Sequence, residues 1–247
     1  MPDVTWIRVQ IEAPSEHFRA STAFWATVTG STSVARGDRT STLEPPDGSA
    51  FVESRATDRL RWSLSLVLET DDPPGLGERA REAGARSAGH DGYRSPGDFR
   101  FHIVRTGENL RRPAPFTLDG HTSRLDQVCV DCPPRIVGAE IEFWARLTGW
   151  TVGRGALPEF TWLARPDVVP VRLLFQQLGE GHRGRRTRAH LDLACGDAVD
   201  ALIGLHESLG ATRGTRGRVW HTMSDPSGLS YCLTRRDPVS GVIERPV

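Results

Sequence analysis

The heptapeptide FWATVTG begins at Phe24 and FWARLTG at Phe143, with five of seven residues identical and Val28 exchanged for Leu147. A near-copy at an offset of 119 residues restricts the chain to folds built from two similar halves, provided that the flanking sequence repeats too. It does. AGAR at Ala83 is matched by LGATR at Leu209, which sets Gly84 against Gly210 at an offset of 126. SPGDFRFHIVR from Ser95 is matched by DPSGLSYCLTR from Asp225 at an offset of 130. Insertions in surface loops between corresponding elements produce such a steady forward drift. The chain therefore reads as a tandem duplication: a diverged domain over 1–107, a linker over 108–122 and a second domain over 123–247. The join lies in GENLRRPAPFTLDGHTS, Gly107 to Ser123, a polar stretch with two prolines.

Each half has an inner rhythm. Ile7, Val9 and Ile11 alternate with Arg8, Gln10 and Glu12, the pattern of a strand with one buried face. A helix is expected from near Ser15 to Gly30, with Phe18, Trp25 and Val28 on one side. PPDGSA at Pro45 signals a hairpin. RWSLSLVLE then reads as a strand, Asp72 to Ala83 as a short helix, and GYRSPGDFRFHIVR as a strand pair. In the second half LDQVCVD is a strand, Arg135 to Thr148 a helix stopped by Gly149, and TWLARPD and VPVRLLFQQ are strands. AHLDLAC opens the last unit, where Asp197 is placed to cap a helix bearing Val199, Leu202, Leu205 and Leu209. Strand-helix-strand-strand-strand thus occurs four times.

Composition narrows the function classes. Apolar residues are 38% and charged residues 25%, as in a globular chain with a substantial core. No run approaches the ~18 apolar residues of a membrane span, so no membrane partner is expected. MPDVTWIRVQIEAPSE has no basic start followed by an apolar stretch; without a secretion signal, the four cysteines are expected as free thiols in the cytoplasm. Net charge is zero, which argues against a nucleic-acid partner. All 31 basic residues are arginine, a bias that fits the codons of a GC-rich genome better than any function.

A first strand followed by a helix carrying FW and ending at Gly, then HLDLA, a helix ending in LGA, and DPSGLSYCL resembles the vicinal oxygen chelate superfamily, which includes glyoxalases, bleomycin-resistance proteins and dioxygenases. The nearest likeness is to the tandem glyoxalase-like domains common in actinobacteria. The resemblance implies an α+β fold of two tandem glyoxalase-like domains, each a pair of βαβββ modules curling a mixed sheet around a cavity. Metal-dependent members place one ligand from each module's first strand and one from its last strand in that cavity. Fold alone does not fix activity here, because the superfamily holds metal isomerases, ring-opening dioxygenases, epoxide-opening resistance enzymes and metal-free drug binders.

Carried over by resemblance, the four positions are Gln127, Gln176, His190 and Cys232 in the second half, and Arg8, Glu53, Ser63 and His102 in the first. One imidazole, one thiol and two neutral amides make a poor site for a hard divalent ion. In the first half the fixed charge of Arg8 repels a cation and offers Glu53 an ion-pair partner. No metal and no cofactor are expected in either domain. The two thiols of CVDC, Cys129 and Cys132, point to opposite faces of a strand and cannot share an ion. His190 and Asp192 share a face, the arrangement of an imidazole oriented by a carboxylate. GHRGRRTR, Gly181 to Arg188, reads as a solvated basic loop, with recognition of an anionic ligand as the alternative.

Trp162 and Trp220, on or beside strands of the second half, could supply flat walls for a planar organic ligand, around the polar groups of Gln127, Gln176, His190, Asp192 and Cys232. The leading expectation is a metal-independent protein that binds or sequesters a small, aromatic organic molecule such as an antibiotic or natural product. It would act as a monomer of pseudo-twofold tandem domains or as a homodimer. The alternative is a lyase, isomerase or epoxide-opening enzyme of secondary metabolism or detoxification, with His190 as its catalytic acid or base. A third class, a structural or regulatory module, would have both cavities filled by side chains.

Overall fold

A computed structural model describes residues 3–89, 92–155 and 157–243. Four βαβββ modules follow one another. The first comprises β1 (Trp6–Pro14), α1 (Phe18–Val28), β2 (Thr32–Ala35), β3 (Thr40–Glu44) and β4 (Val52–Thr57). The second comprises β5 (Ser63–Thr70), α2 (Pro73–Glu82), β6 (Arg86–Ser87), β7 (Gly92–Arg94) and β8 (Arg100–Arg105). A short strand, β9 (Phe116–Leu118), leads into the third: β10 (His121–Cys132), α3 (Val137–Thr148), β11 (Thr151–Arg154), β12 (Phe160–Ala164) and β13 (Arg172–Gln177). The last has β14 (Arg188–Ala194), a 3-10 turn (Gly196–Ala198), α4 (Val199–Ser208), β15 (Thr212–Arg216), β16 (Trp220–Ser224) and β17 (Ser230–Thr234). The first half forms an eight-stranded mixed sheet in the order β2-β3-β4-β1-β5-β8-β7-β6. The second half forms a nine-stranded sheet whose path is β11-β12-β13-β10-β14-β17-β16-β15, with β9 paired to β10.

Local chemistry sets the boundaries. The Asp72 carboxylate accepts from the Gly75 N–H at 3.0 Å, capping α2 ahead of two prolines. Gly149 (φ 75°) ends α3 in the left-handed conformation that a Cβ disfavours. One expectation is corrected. Asp197 does not cap α4: it lies within the 3-10 turn, and the N-cap of α4 is Ala198, which offers no side-chain cap. The end of the stretch expected as linker carries a short strand. It pairs as β9 with β10 through an Asp119-Gly120 turn with φ of 49° and 78°, the left-handed pair that a tight hairpin requires.

Compactness cuts across the two halves. One unit comprises Met1–Val9, Ser65–Arg111 and Val128–Ala189; the other comprises Gln10–Leu64, Arg112–Gln127 and His190–Val247. Each has its own aromatic core, and the repeated FW dipeptide anchors both. In the first, Trp144 and Phe143 of α3 pack on Phe101 of β8, with ring centroids 5.2 and 5.8 Å away. In the second, Trp25 and Phe24 of α1 pack on Tyr231 of β17, 5.3 and 5.6 Å away. Phe101 and Tyr231 are equivalent under the repeat, so each half contributes its helix to one core and its aromatic strand to the other.

Candidate functional site

The sequence-derived positions fall in different surroundings. In the second unit, β10 ends its share of the unit with Gln127, β14 contributes His190 and Asp192, and β17 contributes Cys232. Asp192 lies directly beside Cys232 in the parallel β14–β17 ladder, so the period of two puts His190, Asp192 and Cys232 on one face. Leu191, Leu193, Tyr231 and Leu233 face the other way into the core. The Gln127 amide donates to Asp192 Oδ2. His190 Nε2 lies 3.2 Å from Asp192 Oδ1. That contact is close enough for an ion pair but not aligned for a hydrogen bond, so Oδ1 is a buried carboxylate oxygen without a hydrogen-bond donor among the described residues. Ligand atoms of His190, Asp192 and Cys232 lie within 4.8 Å of one another. Burial holds the Cys232 thiol above its ordinary pKa, against the lowering pull of His190. Thr222 Oγ1 lies 3.9 Å from its sulfur.

Trp220 stands in the same unit, with its ring laid over Gly217 in the β15–β16 hairpin, where a Cβ would collide with it. Trp162 and Gln176 belong to the first unit. Trp162 is equivalently stacked over Gly153, its cross-strand partner, donates Nε1–H to Arg154 O at 2.9 Å, and carries the Arg172 guanidinium 5.7 Å from its ring centroid. Gln176 is half-buried on β13.

In the first half, Arg8 Nε donates to Glu69 Oε1 at 2.7 Å within the first unit. Glu53 accepts from the Gln10 amide at 3.2 Å in the second. His102 lies on β8 between Val67 and Gly92. The parallel ladders also revise one equivalence. Leu66 pairs with Phe101 as Leu191 pairs with Tyr231, so the residue in His190's register is Ser65; Ser63 stands one pleat earlier and donates to Glu12 Oε2 at 2.5 Å. Gln10 and Glu12 alternate with Arg8 along one strand face and reach Glu53 and Ser63, contacts that the carry-over of four positions passed by.

The face opposite the Asp192 cluster holds a second polar feature. Arg236 and Asp126 form a buried, two-pronged ion pair at 2.5 and 2.8 Å, and the surrounding carboxylates keep the guanidinium's pKa high despite the cost of burial.

Residues 127–234 match the family model described as "Glyoxalase-like domain". No curated protein matches the chain in sequence. Among solved structures, the Mn(II)-bound glyoxalase from Novosphingobium aromaticivorans is similar over 100% of this chain and 87% of its own, with a TM-score of 0.66 and 14% identity. Homoprotocatechuate 2,3-dioxygenase from Arthrobacter globiformis is similar over 94% and 80%, with a TM-score of 0.62 and 16% identity. A variant of 4-hydroxymandelate synthase from Streptomyces coelicolor is similar over 95% and 93%, with a TM-score of 0.57 and 14% identity. The chain has the tandem-module α+β fold of the vicinal oxygen chelate superfamily. Its second half is similar to a glyoxalase-like domain over residues 127–234.

That likeness raises the question of a divalent ion. A hard ion such as the relative's Mn(II) wants several anionic oxygens. Here the cluster offers one carboxylate already held by an amide, one imidazole already beside that carboxylate, and a thiol that burial keeps protonated. The donor set does not fit a hard divalent cation.

Proposed function

We propose that the chain is a metal-independent small-molecule-binding protein, with its better ligand site built on Gln127, His190, Asp192 and Cys232. The observation that carries this reading is the protonated, buried Cys232 thiol at a position where metal-binding relatives are expected to carry a carboxylate, beside an imidazole engaged with Asp192. A few convergent polar groups, here an amide, an imidazole, a carboxylate and a thiol, are what fixes the orientation of an organic ligand in its site. His190, at 14% the more exposed of the pair it forms with Asp192, is the group that meets the ligand; Gln127 holds the Asp192 carboxylate beside it. Protein purified from metal-supplemented medium should contain under about a tenth of an equivalent of manganese or iron, because a protonated thiol and a neutral amide do not replace a hard ion's hydration shell. Near-stoichiometric metal that His190→Ala removes would overturn the reading. Native mass spectrometry should show an organic molecule retained by the wild type and lost from His190→Ala, with the unfolding temperature little changed.

A second reading, a lyase, isomerase or epoxide-opening enzyme with His190 as acid or base, is favoured by the 3.2 Å approach of Asp192 to that imidazole, since a neighbouring carboxylate stabilises the protonated ring during proton transfer. Turnover abolished in both His190→Ala and Asp192→Asn would decide for it.

A further inference from the structure

We infer that the second unit carries a small-oxyanion site at the β15–β16 hairpin, apart from the Asp192 cluster. A pocket there is lined by Val199 and Asp200 at the start of α4, by Arg216, Gly217, Arg218, Trp220 and His221 of the hairpin, and by Arg235. Its volume is about 10 Å³, room for one oxygen-sized atom and too little for an organic molecule. His221 lines it, is 9% exposed, and has a buried Nε2 with no hydrogen-bond partner among the described residues. A buried ring nitrogen left unpaired is costly, which points to a group from outside that completes it.

Charge decides the sign of that group. Arg235 is offset by Asp197 and Asp200 at 3.7 and 3.6 Å. Arg216 and Arg218 have no carboxylate partner among the described residues. Arg216 is the cross-strand partner of His221. The hairpin is fixed by Gly217 N–H donating to Trp220 O and by Arg235 N–H donating to Val219 O, both at 2.9 Å. Gly217 is required because the Trp220 ring occupies the space of its Cβ. The start of α4, whose N-cap Ala198 supplies no side-chain oxygen, adds the positive end of a helix dipole. One oxygen of the anion enters the pocket against His221 Nε2, and the others face the Arg216 and Arg218 guanidinium groups, which suit planar, two-pronged recognition of phosphate or carboxylate.

The test titrates inorganic phosphate, acetate and chloride into the full chain at constant ionic strength and follows the unfolding temperature. Phosphate or acetate should raise it saturably, and the tighter of the two identifies a phosphoryl or a carboxylate source. Arg216→Gln with Arg218→Gln, both in an exposed hairpin, should weaken that binding by at least roughly tenfold, the scale of a charge-assisted pair. His221→Phe should do the same, while Arg183→Gln with Arg185→Gln in the basic Gly181–Arg188 loop should bind as the wild type does. Chloride acting as strongly as both oxyanions, no saturation, or equal loss in the two arginine double variants would each overturn the inference.

Discussion

His206 shows how burial of one ring sets a pH response. It lies in α4 with no exposed surface, packed edge-on to Phe24 at 5.6 Å, with Nδ1 2.9 Å from the Tyr231 hydroxyl. Desolvation pushes its pKa down from 6.5 to about 4. A histidine that the fold keeps neutral contributes stability that is fully present above its unfolded pKa and is lost as pH falls towards the folded one. The window therefore runs from 6.5 down to about 4. Over that span the loss approaches about 3 kcal/mol, at about 1.4 kcal/mol per pKa unit. Denaturant unfolding at a series of pH values should show this slope in the wild type and lack it in His206→Gln. An unchanged slope in the variant would assign the acid sensitivity to other groups.

At the level of the element, α3 offers one substitution with two signs. Gly149 ends the helix at φ 75° with nothing within 4 Å of the position a Cβ would take, so Gly149→Ala meets only backbone strain and should cost about 1 kcal/mol. Gly138, inside the first turn of the same helix, also has open space around it but ordinary helical geometry. Gly138→Ala should be neutral or stabilise by up to about 1 kcal/mol, by restricting the unfolded chain. Thermal unfolding of the two variants reads the contrast, and equal shifts would refute it. The end of this helix was legible at Thr148 and its start within two residues of Arg135, because glycine and apolar spacing are local signals. So were the Asp72 start of α2, the hairpin after Pro45 and the strand alternation that put Gln127, His190 and Asp192 on sheet faces. The 3-10 turn that displaced Asp197 from a cap was not, since tightening by one residue leaves no mark in composition. The shift from Ser63 to Ser65 was hidden for a related reason: register along a parallel ladder depends on the partner strand, and serine occupies both positions. His221 and the hairpin arginines form no motif in the sequence; only the fold sets them around one pocket.

At the level of the molecule, the duplication was legible but the interleaved assembly of the halves was not, because a repeat does not say which copies pack together. The structure contains a reciprocal exchange that does. In the first unit the acid is on the helix: Glu140 of α3 accepts from Ser95 Oγ at 2.6 Å, Gly97 N–H at 2.7 Å and Trp144 Nε1–H at 2.9 Å. In the second unit the acid is on the turn: Asp225 accepts from Ser21 Oγ of α1 at 2.6 Å and from Trp25 Nε1–H at 2.8 Å. Ser21 is the repeat counterpart of Glu140, and Asp225 of Ser95, so serine and carboxylate have traded places while the tryptophan donor stayed. The turn keeps its own bond in both, from Phe99 N–H to Ser95 Oγ and from Leu229 N–H to Asp225 Oδ1. One carboxylate between helix and turn is therefore needed, and either side can provide it. Glu140→Ser alone strands three buried donors and should cost about 3 kcal/mol or more. Ser95→Asp alone sets a second buried carboxylate against Glu140 and should also destabilise. Combined, they reproduce the arrangement of the other unit, so the double variant should be more stable than the sum of the single losses by well over about 1 kcal/mol, the coupling expected of residues sharing one network. Denaturant melts of all four proteins measure that coupling directly. Additive losses would mean that the exchange is a coincidence of sequence rather than one carboxylate site with two solutions.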